Sequence, residues 1–308
     1  MWRFILRRLL SAIPTMLVVV TVAFFLLHAA PGGPFDSERR LLPAIQHSVE
    51  ARYHLDEPLW QQYLRYLGSL AHGDFGPSYQ YRDTSVNEII AQGLPVDVGI
   101  GVAALTLALL IGAPLGVTAA LRHDSPLDHL LTSLAVLGIS APVFVVAPLL
   151  VLIFSVSLHW LPAGDWIAGS PAHWLMPTVS LSLPYIAYVA RIMRASTLET
   201  LNSPFIRTAR AKGLSASALA LRHALRPSLL PLISFLGPAM AGVITGSIIV
   251  EEVFGLPGIG RHFITGAFNR DYTLVVGVTI VYGAAIIVFN LLADLGYAWA
   301  DPRVRTRT

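Results

Sequence analysis

The sequence has 308 residues, of which 55% are hydrophobic and 13% are charged, with a net charge of +3 and no cysteine. Its mean hydropathy is +0.64, whereas a soluble domain carries about a quarter charged residues, so the composition indicates a membrane protein. The small net charge gives no support for nucleic-acid binding. The lack of cysteine excludes disulfides, thiolate metal sites and a cysteine nucleophile.

Six stretches are apolar enough, over about 20 residues, to cross the hydrocarbon core of a bilayer. The first follows Arg3, Arg7 and Arg8, but its apolar run is longer than that of a secretory signal, so we predict a retained anchor. The fourth contains Pro177 and Pro184, which neighbouring helices can accommodate. The sequence therefore predicts an all-α integral membrane protein whose six spans run approximately over Leu9–His28, Val98–Leu121, Leu134–Leu158, Leu175–Arg191, Leu229–Val250 and Leu274–Tyr297.

The distribution of basic residues predicts the orientation of these spans. With the N-terminus inside, the inner segments hold fourteen of the 21 Lys and Arg residues but only five of the 18 acids. Positive residues concentrate in cytoplasmic loops, so both termini are predicted to be cytoplasmic. The predicted regions are residues 1–28 (cytoplasmic N-terminus and first span), 29–97 (periplasmic loop region), 98–297 (five-helix membrane core) and 298–308 (cytoplasmic tail).

The predicted periplasmic region begins with the turn-forming residues Pro31–Pro34, which should end the first helix. Two segments beyond it, "LLPAIQHSVEARYHL" and "PLWQQYLRYLGSLA", have apolar residues at mixed three- and four-residue spacing. This spacing is typical of short amphipathic helices, which could lie on the membrane or bind a partner.

Ionisable residues are nearly absent from the middles of the predicted spans, with His28 and Asp294 near span ends. Ion-coupled carriers usually place such residues at membrane depth, so we predict no coupling site, although a sodium-coupled carrier using backbone carbonyls stays an alternative. The only lysine, Lys212, is not in a P-loop, so any nucleotide must be bound by another subunit. We find no catalytic motif, and we interpret His159 and His173 as polar interfacial residues, so we predict no catalytic, cofactor or metal site.

A basic segment lies between the fourth and fifth spans, from Asn202 to Pro231. Ser203 suits an N-cap, Pro204 the first helical position and Gly213 the position after the helix, which predicts a helix of about nine residues. Such a helix is roughly 13 Å long and cannot span a membrane. It could dock into another protein or contact anionic lipid, and the caps, the short length and the small side chains favour docking.

The positions around this helix divide between two sides. Phe205 and Ala209 share one side, whereas Arg207 and Arg210 project from nearly the opposite side. Small residues at positions 209, 211 and 213 keep the profile slim, so that a groove on another protein can approach closely.

The motifs "RTARAKGL" (207–214) and "LRHALRPSLLP" (221–231) resemble the inner-loop signature of permease subunits of binding-protein-dependent ABC importers, in the peptide and nickel branch. In the general form E-A-A-x-x-x-G, Ala209 and Gly213 match while Arg207 occupies the glutamate position. Further resemblance to the B-type oligopeptide permeases covers nearly the whole chain, through "RFILRRLLSAIPT", "APGGPF", "HGDFGPSY", "GSIIVEEVFGLPGIG", "NRDYTLV" and "DPRVR".

This resemblance implies a type I ABC importer permease in the bacterial inner membrane, with a coupling helix at about residues 204–212. It implies a second homologous permease, two cytoplasmic ATPases that bind ATP and Mg, and a periplasmic peptide-binding protein. The implied ATPase-coupling residues are Phe205, Arg207, Thr208, Ala209, Arg210, Ala211, Lys212 and Gly213. An outer turn or gate would contain Glu252, Phe254, Pro257, Gly258 and Gly260, for each of which a purely structural turn is an equal alternative.

The implied substrate is an oligopeptide. Dipeptides, nickel and glutathione stay alternatives within the same family, and a gradient-driven carrier or a membrane scaffold is an alternative outside it. The implied transport subunit has no enzymatic activity of its own.

Overall fold

The structure, a computed structural model, describes residues 2–35, 48, 50–81, 83–215 and 218–300. Within these residues the secondary structure is helical, apart from one isolated antiparallel bridge between Pro77 and Ser85. Five helices are long and apolar enough to cross a membrane, and a bent helix pair makes a sixth if it counts as one span. The predicted all-α fold is confirmed.

The described helices include, in chain order, α1 (Trp2–Ala29), α2 (Leu59–Ala71), α3 (Val86–Leu121), α4 (Pro126–Ser140), α5 (Val143–Leu150), α6 (Pro171–Leu201), α7 (Pro204–Ala211), α8 (Leu225–Gly246), α9 (Ile248–Phe254), α10 (Ile259–Phe268) and α11 (Tyr272–Ala300). Two π-helical segments, Val151–Ser157 and Leu219–Ala224, follow α5 and precede α8. The second predicted amphipathic segment is confirmed as α2, whereas most of the first lies outside the described residues.

The third predicted span is not one continuous helix. The segment breaks between α4 and α5, and the two parts meet at 96°. The cause is Pro142, which lacks a backbone N–H and disfavours helical geometry at the preceding residue. Ala141 accordingly has an extended backbone, with φ −75° and ψ 112°.

The second predicted span begins earlier than the sequence suggested, at Val86 rather than Val98. Ser85 and Glu88 form a reciprocal capping box, since the Ser85 N–H donates to the Glu88 carboxylate (3.1 Å) and the Glu88 N–H donates to the Ser85 hydroxyl (3.2 Å). Asp97 therefore lies inside α3, where it is only 1% exposed. The predicted span began one residue after Asp97 and therefore left out this buried carboxyl group.

The chain divides into two compact units, and the described residues of the first are 2–8, 97–256 and 285–300, apart from the gap at 216–217. Its apolar core includes Ala108 of α3, Val189 and Met193 of α6, and Leu232 of α8. A Cβ added at Gly112 would lie 2.6 Å from the Ile186 carbonyl oxygen, so glycine is needed for α3 and α6 to approach this closely. Small residues at such interfaces allow transmembrane helices to pack through their backbones.

The second unit contains residues 9–96 and 257–284. Phe24 of α1, Tyr66 of α2 and Val276 of α11 meet in its apolar core. The hydroxyls of Thr21 and Tyr63 hydrogen-bond at 2.6 Å, which fixes α2 along α1.

Candidate functional site: a basic surface helix

The short helix α7 forms where the capping signals predicted it, over Pro204–Ala211. Lys212 is the C-cap, and Gly213 follows with a left-handed φ of +80°. The Gly213 N–H donates to the Arg210 carbonyl oxygen at 3.0 Å, which closes the last turn. The helix is thus about 12 Å long, and two residues separate it from the end of α6.

The cap at the start of α7 differs from the expectation in its bonding. Ser203 occupies the N-cap position with an extended backbone, but its hydroxyl makes no capping bond. Instead the hydroxyl donates to the Thr200 carbonyl oxygen at 2.6 Å. Ser203 therefore joins the end of α6 to α7 rather than capping the helix.

One side of α7 packs on the chain itself through residues that lie three apart. Ile206 is fully buried and Ala209 is 8% exposed, and both pack against Leu219 and Ala224 of the π-helical segment. Phe205 does not share the buried side with Ala209, because its side chain is 49% exposed. Sequence reasoning missed Ile206, although its three-residue spacing from Ala209 was a usable signal.

The other side of α7 faces away from the chain, and we call it the basic face. Its members are exposed residues with three positive charges among them: Phe205, Arg207, Thr208, Arg210, Ala211, Lys212 and Gly213. Thus seven of the eight residues assigned to coupling by resemblance lie on this face, and Ala209 lies beneath it. Arg210 in the last turn also interacts favourably with the helix dipole.

Hydroxyl groups hold the helices beneath α7 together. The Ser196 hydroxyl of α6 donates to the Ser228 carbonyl oxygen of α8 at 2.9 Å. The buried Ser228 hydroxyl in turn donates to the Ala224 carbonyl oxygen (2.7 Å) and lies 3.2 Å from the Thr200 hydroxyl. Hydrogen bonds in such a low-dielectric setting rigidify their neighbours. The π-helical segment on which α7 packs is therefore joined to two membrane-length helices, α6 and α8.

A buried ion pair fixes α6 to the start of α4. Arg194 binds both oxygens of Asp128, at 2.6 and 2.7 Å, and Asp128 is fully buried. Among the described residues, His123, Asp124 and Asp128 are the one group spaced closely enough for a metal ion. Because Arg194 already binds both oxygens of the Asp128 carboxylate, we interpret these three residues as stabilising the contact between α4 and α6 rather than as a metal site.

The predicted outer turn contains one buried acid that the sequence did not single out. Glu251 is 1% exposed and its carboxylate accepts a hydrogen bond from the Ser247 hydroxyl, whereas Glu252 is exposed. Phe254 is buried, and Gly255 ends α9 with φ +63°. Two adjacent glutamates are indistinguishable by sequence pattern, so only packing separates their environments.

The second half of this turn begins α10. Gly258 and Gly260 are buried, and Pro257 is half-buried. A Cβ added at Gly93 of α3 would lie 2.8 Å from the Ile259 backbone nitrogen, so the start of α10 packs directly on the α3 backbone.

Comparison with family models decides the class of protein. Residues 112–306 match the model of the binding-protein-dependent transport system inner membrane component, and residues 1–101 match the model of the N-terminal membrane component of such systems. The chain belongs to this family. The resemblance stated from the sequence motifs is confirmed, and this permease is a transport subunit.

Curated relatives match the permease over nearly its whole length. It is 51% identical to the oligopeptide transport system permease protein OppB of Haemophilus influenzae and 52% identical to OppB of Escherichia coli K12, in each case over 99% of this chain and 100% of the relative. It is 42% identical to the dipeptide transport system permease protein DppB of Bacillus subtilis, over 99% and 98% of the two chains.

Two solved structures share the fold. The MetNI methionine ABC transporter in inward-facing conformations has a TM-score of 0.57 at 14% identity, covering 69% of this chain and 96% of that one. An amino acid ABC transporter with histidines has a TM-score of 0.53 at 18% identity, covering 68% and 92%. At these identities the likeness supports the fold alone.

Proposed function

We propose that this permease forms half of the membrane path of an ATP-driven oligopeptide importer, and that α7 couples that path to a cytoplasmic ATPase. The proposal rests on the observation that α7 has one buried side, which packs on the chain, and an exposed basic face. Ile206 and Ala209 hold the helix on the chain, while three cations and Phe205 face outward. A helix this short is marginal alone, so the packing of Ile206 and Ala209 holds it in place and leaves the basic face available to a partner.

The proposed mechanism follows from the contacts between α7 and the helices beneath it. The basic face docks in a cleft on one of two ATPase subunits, which bind ATP and Mg. When ATP closes the ATPase pair, α7 is displaced as a rigid body and pushes the π-helical segment on which it packs. The Ser196 and Ser228 hydrogen bonds join that segment, α6 and α8, so these helices move with it. A second, homologous permease completes the path, which then alternates between inward-facing and outward-facing states.

Substrate and orientation follow the same proposal. Relatives at 51% and 52% identity support oligopeptides, delivered by a periplasmic peptide-binding protein. The dipeptide permease at 42% identity supports dipeptides as the second candidate.

Both termini lie in the cytoplasm, and an ion pair between Arg8 of α1 and Asp294 of α11 is consistent with both helix ends lying on one side. Glu252 and the turn at residues 254–260 form the outer connection.

Substituting Ala211 tests the coupling role. Ala211 is exposed at the end of α7, so Ala211→Trp adds bulk to the basic face without entering the chain's own core. We expect loss of ATP-driven peptide uptake in proteoliposomes that hold the whole importer, with unchanged insertion and melting temperature. The matched control is Ala267→Trp, an exposed alanine in the last turn of α10, which should transport normally.

The same assay separates the alternatives. The permease alone, given a proton or sodium gradient, should accumulate no peptide, and gradient-driven uptake would establish a secondary carrier instead. Full ATP-driven uptake by Ala211→Trp would contradict the docking of α7.

A further inference from the structure

A cavity of about 170 Å³ lies in the second unit, outside the coupling region. It is formed by the outer part of α1, by α2, by the start of α11, and by two segments near residues 52–54 and 76–79. A cavity of about 150 Å³ can hold a benzene-sized ring, so this one has room for a ring or a short aliphatic chain.

Aromatic side chains form a nearly continuous wall around the cavity. Tyr66 lies 6.1 Å from Phe24 between ring centroids, and Phe24 stacks on His28 at 4.1 Å. His28 lies 4.3 Å from Tyr272, which in turn lies 6.3 Å from Tyr79 at nearly a right angle. Walls of this kind favour an apolar, preferably aromatic guest, because ring pairs gain from tilted and edge-on contacts.

The polar groups that line the cavity include a hydrogen-bond donor that no described acceptor pairs with. The hydroxyl of Tyr66 is buried and has no hydrogen-bond partner among the described residues, although the side chain is only 8% exposed. Burial raises the pKa of Tyr66, so the hydroxyl keeps its proton and can donate. An unsatisfied buried donor costs free energy, which a bound acceptor recovers.

The charged residues of the lining are all basic. Arg65 and His54 are held by Glu57, at 2.5 and 3.0 Å, and the Arg65 hydrogen bond lowers the pKa of Glu57. Arg52, in contrast, is exposed and makes no hydrogen bond or ion pair with the described residues. The described residues that line the cavity include no carboxylate. The guanidinium of Arg52, which no described residue engages, therefore favours an anion at the mouth of the cavity.

We propose that this cavity is a binding site for a small organic anion whose apolar group enters the aromatic wall. The anionic group accepts from Tyr66 and pairs with Arg52, and a carboxylate on a ring or on a short acyl chain has this chemistry. Such a ligand would join α1, α2 and α11 within the second unit. The proposal does not depend on the transport function or on α7.

Binding can be measured on the purified full-length permease in lipid nanodiscs by fluorine NMR, with 3-(4-fluorophenyl)propionate as the probe. We expect saturable binding, and binding of the neutral amide of the same probe to be weaker by about tenfold or more, as the loss of a charged hydrogen-bond partner implies. Tyr66→Phe, which removes only the hydroxyl, should weaken probe binding about tenfold. Tyr297→Phe, outside the cavity, is its matched control and should bind as the wild type does.

Two more variants test the location and the charge. Ser69→Leu places a larger side chain in the cavity and should abolish saturable binding. Arg52→Gln should weaken binding and reduce its dependence on salt, whereas Arg122→Gln, an exposed arginine outside the lining, should do neither. Competition with octanoate identifies the source: displacement of the probe indicates acyl-chain ligands, and no displacement indicates ring-bearing carboxylates, each within the proposed class.

The proposal is overturned if the wild-type permease shows no saturable binding of the probe, as for a cavity that holds only water. Equal affinity for the acid and the amide, or equal affinity of Tyr66→Phe and Tyr297→Phe, would overturn it as well.

Discussion

Gly213 ends α7 in a backbone geometry that favours glycine, and it also lies on the basic face. Its φ of +80° lies in the left-handed region, which costs other L-residues roughly 1 to 2 kcal/mol. A Cβ added at this position would meet no atom within 4 Å of the chain. The chain itself therefore leaves room for a side chain, so under the proposed docking any limit on size beyond the backbone strain comes from the partner.

A pair of matched glycines tests this requirement. Gly169 has nearly the same φ, +81°, and also has no atom within 4 Å of an added Cβ. We expect Gly213→Ala and Gly169→Ala to lower stability alike, by about 1 kcal/mol, since both meet the same backbone strain. Only Gly213→Ala should reduce ATP-driven uptake, by about tenfold if the added methyl costs about 1.4 kcal/mol of docking. Equal transport by the two variants, measured at equal expression, would show that no partner approaches Gly213.

The burial of individual residues was harder to predict from the sequence than the bounds of the helix that contains them. The capping signals predicted the bounds of α7 to within a residue, because Pro204 and Gly213 act through local backbone geometry. Which residues of α7 are buried depends on the π-helical segment packed beneath it, and this placed Ile206 inside and Phe205 outside. The same limit applies to Glu251, whose burial follows from packing alone.

Among the elements, α11 is fixed at its start by a single buried carboxylate. One oxygen of Asp271 accepts from the Thr273 hydroxyl (3.1 Å) and the Leu274 N–H (3.2 Å), which caps the helix. The other oxygen accepts from the Ser78 hydroxyl (2.5 Å) and from two backbone N–H groups, those of residues 79 and 80. Asp271 thus joins the loop before α3 to the start of α11 within the second unit.

Replacing Asp271 should destabilise the second unit. All five of its partners donate hydrogen bonds, and a single charged hydrogen bond contributes about 1.5 to 3 kcal/mol, so we expect Asp271→Ala to cost about 3 kcal/mol or more. Asp271→Asn should be nearly as harmful, because its amide nitrogen faces donors. Thermal unfolding and protease cleavage near residues 76–80 measure the effect, with the exposed Asp56→Ala as a control of no effect. Wild-type stability of Asp271→Asn would show that the charge is not needed.

At the scale of elements, apolar length located the spans but not their ends or bends. The early start of α3 was present in the sequence as the Ser85–Glu88 capping box, but these residues lie outside the apolar stretch from which the span was predicted. Gly93 is buried against the start of α10, a contact that no single segment reveals. Likewise, the composition around Pro142 fits a straight span, but the structure has a 96° bend there.

For the whole molecule, the proposed function requires that partner subunits supply the energy and move the permease from the cytosol through α7. The buried side of α7 packs on Leu219 and Ala224 of the π-helical segment, and hydroxyl hydrogen bonds join that segment, α6 and α8. These contacts connect α7 to two membrane-length helices within the first unit. Family membership could be predicted from the motifs because they extend along nearly the whole chain. The connection beneath α7 could not, since Ser196 and Ser228 lie 32 residues apart and meet only in the fold.

The most direct test uses the fact that the chain has no cysteine. Ala211→Cys places a single thiol on the basic face, which a short bifunctional reagent can cross-link in the assembled importer. The account predicts a cross-link to an ATPase subunit that changes in yield with ATP, and labelling by a membrane-impermeant thiol reagent only from the cytosolic side. A thiol that is labelled from the outside, or that never reaches an ATPase during turnover, would contradict the account.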